Sequence, residues 1–333
     1  MNINEIQQQL FQQIRSKLPA GASVVDEVAK LLNISSDSAY RRMRGEKQIT
    51  FEELYALCSN YQISLDRLMN VQTGYFIFQG NIVSAKTFGF DQYLTSMVHT
   101  LGYFNNFKSK ELYYSCKDMP IFHHFHFRDL AAFKWFFWLK TYMQFPEFEK
   151  KQFNFSDYPD KLFELDQKVL GLYSQLPSTE VWNIESMSII FRQIEFYRDG
   201  GVFQSDEDIF RLYEAIGRTW DHLEAQAALG YKFRHNDPEK KLMGTFRMYF
   251  NEVLLGDNSL LVITDGIKSS VMTHTTFNYF MTRDVTFTEN MYVHFQNQMK
   301  RSTLISEVSE KERGRFFRII RDRIEKRKEA LNV

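Results

Sequence analysis

The side chains whose types and spacing best suit a chemical task lie between residues 36 and 47. On a helix of about 100° per residue, five polar side chains fall within an arc of about 140°: Ser36, Asp37, Tyr40, Arg41 and Arg44. The planar guanidinium groups of the two arginines can pair with the edge of a guanine or grip a phosphate. Tyr40 can stack on a thymine methyl group or bond a phosphate, and Lys47, just beyond the helix, is a candidate phosphate contact.

Two of these residues stand at the start of the helix, where its dipole is positive. Ser36 and Asp37 can meet a phosphate or the amino group of a cytosine there. Because Asp37 would repel a phosphate, a base edge or a neighbouring arginine suits it better. The alternative interpretation is that the polar face is only a solvated surface, as on many helices.

The opposite face of the segment is small and apolar, which allows close approach to a neighbouring helix. Ala39 lies on that face and Arg42 at its margin. The turn Asn33–Ser35 precedes the segment, and Gly45 ends it. With the apolar spacing and capping residues around them, these signals predict a helix-turn-helix within an all-α, five-helix DNA-binding domain over residues 1–72. The predicted helices cover residues 3–18, 23–32, 36–44, 51–61 and 64–70.

A family resemblance rests on six short stretches: Val28–Leu32, Asn33–Ser35, Ala39, Arg44-Gly45, Phe51–Leu54 and Ile63–Leu68. On these positions residues 23–69 resemble the lambda-repressor-like (Cro/repressor) helix-turn-helix family. The resemblance implies that this N-terminal region binds operator DNA, usually as a dimer, with residues 36–44 as the reading helix. This chain departs from the family in one respect. Many members carry Gln at the second-helix position that commonly contacts DNA, whereas this chain has Asp26 and Glu27 near the start of that helix.

Residues 73–333 are predicted to form a larger, mostly helical α+β domain with a small antiparallel sheet. Extended segments are predicted at Leu112–Cys116, Ile121–Phe127 and around Phe246–Phe250, and Asp265-Gly266 predicts a hairpin between Leu260–Thr264 and Ile267–His274. Helical periodicity predicts seven helices: Thr87–Phe107, Phe127–Phe145, Pro159–Leu176, Thr179–Tyr197, Ser205–Leu229, Thr288–Arg301 and Ser309–Leu331.

A candidate effector pocket in this second domain is formed by His124, His126, Trp135 and Trp138. On a strand the two histidines would share a face and could bind a metal, but no further ligand spacing completes such a site, which favours satisfied or exposed histidines. The helix with the two tryptophans is apolar nearly all round, which is typical of buried core and also compatible with a pocket for a planar or apolar effector.

Composition limits the class of protein. The formal net charge is zero, so attraction to phosphate must come from local patches. The start MNINEIQQQLF has no apolar core of signal-peptide type, and no run approaches the roughly 18 apolar residues of a membrane span. Cys58 and Cys116 match no metal spacing. The sequence therefore predicts a cytoplasmic protein that enters no membrane and holds neither a metal nor a cofactor.

These features together predict a sequence-specific transcription regulator that is not an enzyme. Its partners would be double-stranded DNA, a second copy of the chain and a small-molecule or protein effector sensed by the second domain. No G-x-S-x-G, HExxH or CxxC motif is present. Two alternatives stay open: a DNA-targeted enzyme or nucleotide-acting defence effector with catalysis in the second domain, and an interaction scaffold that only recruits other proteins.

Overall fold

The structure is a computed structural model that divides into two compact units, Met1–Ile77 and Phe78–Val333. It is mixed α+β and 58% helical, which confirms the predicted class. The predicted domain boundary at residues 72 and 73 lies outside the described residues. No helix in the described part of the chain combines the length and apolar character needed to cross a bilayer. The structure describes residues 3–19, 21–69, 76–80, 89–253, 255–256, 258–275 and 277–331.

The N-terminal unit is built from short helices with well-defined caps. Side chains of Ser23, Ser35 and Thr50 each accept a hydrogen bond from a backbone N–H one turn on, which fixes where three of the helices begin. Gly45, at φ +78°, takes the left-handed conformation that ends a helix without strain. The helices are α1 Ile3–Lys17, α2 Val24–Leu32, α3 Ser36–Met43, α4 Phe51–Asn60 and α5 Leu65–Met69.

The helices of the C-terminal unit pack around an aromatic core that includes Phe136, Trp182 and Trp220. A π-helical turn, Trp138–Tyr142, continues α8, and a 3₁₀ turn, Ile184–Met187, precedes α10. The helices are α6 Phe90–Asn105, α7 Ile121–His124, α8 Arg128–Phe137, α9 Asp160–Gln175, α10 Ser188–Asp199, α11 Asp206–Leu229, α12 Val285–Lys300 and α13 Glu310–Glu329.

The sheet of the C-terminal unit has eight strands in the described residues, in the order β3-β4-β2-β1-β5-β6-β7 with β8 beside β4. Strands β4, β2 and β1 are parallel and the other pairs are antiparallel. The strands are β1 Lys110–Cys116, β2 Ser178–Trp182, β3 Tyr231–Lys232, β4 Gly244–Phe250, β5 Ser259–Thr264, β6 Ile267–Thr273, β7 Tyr279–Thr282 and β8 Thr303–Leu304.

The prediction of a small antiparallel sheet is therefore wrong, because the centre of the sheet is parallel. Parallel neighbours need long crossover connections. Helices α7, α8 and α9 separate β1 from β2, and α10 and α11 lie between β2 and β4. The sequence shows the connecting helices but not which strands they bring side by side.

Two predicted elements have the wrong type. Thr179–Tyr197 is not one helix, since its first residues form β2, whose five side chains are all buried. A strand buried on both faces lacks the apolar-polar alternation by which strands are recognised. Ile121–Phe127 is not extended, since Ile121–His124 form the short helix α7, with Pro120 as its N-cap, and a turn follows it.

The hairpin prediction is confirmed. β5 and β6 pair in the register Thr264 with Ile267, and Asp265 and Gly266 form the connecting turn. Both turn residues have positive φ, +45° and +84°, which is the conformation of a type I′ turn. The turn chemistry is entirely local, and for this reason the sequence is sufficient to predict it.

Candidate nucleic-acid interface

Helix α3 presents one polar face to solvent. All six residues predicted to bind DNA are exposed: Ser36, Asp37, Tyr40, Arg41, Arg44 and Lys47. The helix is one residue shorter than predicted, and Arg44 is its C-cap. Ala39 on the opposite side is fully buried against the core of the N-terminal unit. The face thus has long hydrogen-bonding side chains in front and a small, buried residue behind, the arrangement that entry into a DNA major groove requires.

Arg42 braces this helix from behind. Its guanidinium is 4% exposed and donates two hydrogen bonds to the Glu53 carboxylate of α4, at 2.9 and 2.6 Å, and a third to the Ser38 carbonyl at 3.1 Å. The side-chain hydrogen bond from Arg42 lowers the pKa of Glu53. A bidentate, partly buried pair of this kind fixes orientation as well as distance. The sequence predicts Arg42 at the margin of the apolar face, but it does not predict the pairing with Glu53.

Gln7 of α1 anchors the turn that follows α3. Its Nε2 donates to the carbonyls of Arg42 at 2.6 Å and Lys47 at 2.8 Å, and its Oε1 accepts from the Ile49 N–H at 3.1 Å. The side chain is 3% exposed, so these bonds satisfy an amide that would otherwise be costly to bury. The sequence contains one signal for this role of Gln7. Gln7 is a polar residue on the same helical face as the apolar Leu10.

The exposed arginines have an intramolecular carboxylate partner. Glu46 Oε1 lies 3.3 Å from Arg44 Nε, and Glu46 Oε2 lies 3.8 Å from Arg41 Nε. All three side chains are about half exposed, so water and salt screen both pairs. The Arg44 guanidinium also lies over the Tyr40 ring, 5.7 Å from its centroid. An anion that binds here would have to displace Glu46.

The exposed face of α3 carries a cluster of basic side chains, but the N-terminal unit as a whole carries no net charge. Residues 1–77 contain eight Lys and Arg and eight Asp and Glu, which leaves the N-terminal unit formally neutral. Asp26 is engaged with α3, since its Oδ1 accepts a hydrogen bond from Ser36 Oγ at 3.4 Å. The unit as a whole therefore exerts little long-range attraction on a polyanion such as DNA, and its exposed arginines and lysine can act only through short-range contacts.

The two tryptophans of the candidate effector pocket belong to one hydrophobic core but contact different rings. Trp135 packs on Phe148, with ring centroids 5.4 Å apart, whereas Trp138 packs on Phe277, also at 5.4 Å. His124 is 1% exposed, and neither ring nitrogen has a hydrogen-bond partner. His126 lines a cleft together with residues of α9 and with Phe233–Asn236, and with a volume of about 10 Å³ this cleft has room for a single water.

A cluster of histidines surrounds His126. Its ring centroid lies 4.6 Å from that of His222 on α11, 6.1 Å from that of His235 and 5.8 Å from that of His123. His222 Nε2 lies 3.1 Å from the Phe233 carbonyl oxygen. Across the described ranges, no three His, Cys, Asp or Glu side chains are grouped so that they could hold a metal ion. The cluster joins positions about a hundred residues apart, so no local sequence pattern marks it.

The central strand β2 carries a buried carboxylate with many partners. Glu180 is 0% exposed and accepts hydrogen bonds from the Tyr173 hydroxyl, from Trp182 Nε1 at 3.0 Å and from Ser178 Oγ at 3.0 Å. His123 Nε2 lies 3.6 Å from its Oε2. Burial alone would raise the pKa of Glu180, but the nearby His123 and Lys232 outweigh burial and lower it to about 2.

Lys232 of β3 completes this network from the edge of the sheet. Its Nζ donates to the carbonyls of Tyr173 at 3.2 Å and Leu176 at 2.8 Å, and it lies 3.7 Å from the centroid of the Tyr173 ring. Burial lowers the pKa of Lys232 to about 7, although the charge of Glu180 opposes the shift. The network links α9, β2 and β3 through polar groups that water cannot reach, which suits a structural role.

Comparison of the chain with models of protein families, with curated proteins and with solved structures gives no match. Function must therefore be inferred from the side-chain geometry of the two units.

The histidine cluster predicts loss of stability in acid. Burial, followed by the charge of His235, lowers the pKa of His222 to about 4, from 6.5 for a free histidine side chain. The folded state therefore binds fewer protons than the unfolded state between about pH 4 and 6.5. The free energy of unfolding should fall by about 1.4 kcal/mol per pH unit for this group as the pH drops through that window.

Urea unfolding at pH 4.5, 5.5 and 6.5 measures this dependence. We expect His222→Gln to be less sensitive to pH than the wild type, and His99→Gln, at an exposed position outside the cluster, to follow the wild type. Equal pH slopes for His222→Gln and the wild type would contradict the prediction.

Proposed function

We propose that this protein is a sequence-specific, DNA-binding transcription regulator whose N-terminal unit is a lambda-repressor-like, five-helix domain. The observation that carries the proposal is the exposed face of α3. There Tyr40, Arg41 and Arg44 stand together on a helix whose opposite side is held by Arg42 and Gln7. A rigidly mounted helix with an exposed row of hydrogen-bonding and cationic side chains suits the reading of base edges.

Five of the six exposed side chains are assigned a role in the proposed complex. Arg41 and Arg44 reach the major-groove edges of bases, where their forked donors match guanine O6 and N7. Lys47 lies after the helix and neutralises a phosphate. Ser36 at the helix start gives up its hydrogen bond to Asp26 and donates to another phosphate. Asp37 accepts from a base amino group. Glu46 releases the two arginines when DNA binds, so part of the interaction energy is spent on breaking its ion pairs.

Two copies are part of the proposal because one neutral domain attracts DNA weakly. A homodimer that places its reading helices about 34 Å apart contacts two half-sites and doubles the number of specific contacts. We assign dimerisation and effector sensing to residues 73–333. An effector could change operator affinity only if it favoured one spacing of the two helices over another.

Selection of bound sequences from a random DNA library, followed by footprinting, tests this function. We expect enrichment of a two-fold symmetric site whose halves are about one helical turn apart, and protection of both halves. Sedimentation in the presence of the selected duplex should show two chains per duplex. If folded protein enriches no sequence at low ionic strength, the proposal is wrong.

A further inference from the structure

A groove runs beside the polar face of α3, between that helix and α1. Its volume is about 380 Å³. Six residues line it: Gln8, Phe11, Gln12, Arg15, Met43 and Arg44. Arg44 belongs both to this α1–α3 groove and to the predicted DNA-binding face, so the two surfaces are continuous.

The wall of the groove on α1 is a row of exposed hydrogen-bond donors. Gln8, Gln12 and Arg15 are spaced four and three residues apart, which places them on one side of the helix. Phe11 forms an apolar floor and is 4% exposed. The bonds from Gln7 of α1 to the turn after α3 fix the two helices relative to each other, so the width of the groove is set by the fold.

The chemistry of the groove suits a sugar-phosphate chain. Its two arginines and two glutamines can donate hydrogen bonds to phosphate oxygens, and none of the six lining side chains is a carboxylate. The apolar floor suits the carbon atoms of deoxyribose. An acidic peptide could also pair with the two arginines. The groove is continuous with the exposed face of α3, however, and one DNA duplex can contact both surfaces.

We propose that the α1–α3 groove binds the backbone of one DNA strand next to the site read by α3. Arg15 pairs with a phosphate, and Gln8 and Gln12 donate hydrogen bonds to the same strand. This inference rests on the proposed function and extends it to a helix outside the helix-turn-helix itself. It makes α1 a second, sequence-independent anchor.

The salt dependence of binding tests the groove. Affinity of the full chain for the selected duplex and for random duplex is measured by fluorescence anisotropy between about 50 and 200 mM KCl. Arg15→Ala should reduce the slope of log K against log salt by about 0.9 and weaken binding roughly eightfold at 0.1 M for both duplexes, as expected for the loss of one phosphate contact.

Lys17→Ala is the matched control. It removes one positive charge from the same helix, but about 200° further round, where Lys17 Nζ donates to the Gln62 carbonyl at 3.2 Å. We expect it to change the slope much less than Arg15→Ala does. Gln12→Glu, which places a negative charge in the groove, should weaken binding to both duplexes at least as much as Arg15→Ala.

The outcomes separate the two proposals. If wild-type protein binds DNA and Arg15→Ala behaves like Lys17→Ala, the groove is not a backbone site, although α3 still reads DNA. If Gln12→Glu is neutral, the same conclusion follows. If an acidic peptide binds the wild type but not Arg15→Ala, while the two proteins have the same DNA salt slope, the groove is a protein site instead. Absence of any DNA binding by the wild type overturns the function as well.

Discussion

Replacement of Glu180 by alanine is expected to lower the free energy of unfolding of the C-terminal unit by about 3–5 kcal/mol. The carboxylate accepts hydrogen bonds from Tyr173, Ser178 and Trp182, all of which are buried. Without it these three donors lose their acceptor in a region that water cannot enter. Lys232 also loses the negative charge that favours its protonated form. Each unpaired buried donor costs about 1–3 kcal/mol, so the sum is large even if relaxation recovers part of it.

Urea unfolding of the full chain, followed by tryptophan fluorescence, measures this change, since Trp182 and Trp220 are fully buried in the C-terminal unit. Glu180→Gln keeps one acceptor oxygen and should lose about 1–3 kcal/mol. Glu164→Ala, on the exposed side of α9, is the control and should change stability by less than about 0.5 kcal/mol. A loss below 1 kcal/mol for Glu180→Ala would show that the network is not a major source of stability.

The same carboxylate illustrates what the sequence alone could not supply. Glu180 stands in a run that has no strand-like alternation, and helical periodicity places it in a helix over Thr179–Tyr197, whereas the structure has β2 there and α10 begins only at Ser188. Its burial depends on β1 and β4 flanking β2 in the sheet. These neighbours are far away in the chain, and the pairing of parallel strands has no short-range signal comparable with a hairpin turn. Elements whose ends are marked by local chemistry, such as the turn at Asp265-Gly266, were predicted correctly.

The candidate interface shows the same division between local and distant information. Exposure of Tyr40, Arg41 and Arg44 follows from helical spacing, and all three side chains are exposed in the structure. Helical spacing does not, however, identify the hydrogen bonds that hold α3 from behind. Gln7 and Glu53 belong to other helices, and their roles appear only when the three helices are packed together. The only local sign of the role of Gln7 is its position as a polar residue among the apolar residues of α1.

Arg41→Ala and Arg44→Ala are each expected to weaken binding to the selected site by about 1–3 kcal/mol, or roughly 5- to 150-fold, if they contact bases. Binding to random DNA should change much less. Both side chains pair with Glu46, so their effects are coupled and the double variant should lose less than the sum of the single losses. Anisotropy titrations with selected and random duplexes at one salt concentration measure both effects.

Two further variants separate base reading from simple charge. Lys47→Ala should weaken binding to selected and random duplexes by a similar factor, because a phosphate contact carries no sequence information. Glu46→Gln should strengthen binding to both, because it removes the carboxylate with which DNA must compete for Arg41 and Arg44. If the arginine variants instead weakened both duplexes equally, these residues would be phosphate contacts and α3 would not be the reading helix. If they changed neither, the exposed face of α3 would be only a solvated surface, and the DNA-binding function would lose the observation on which it rests.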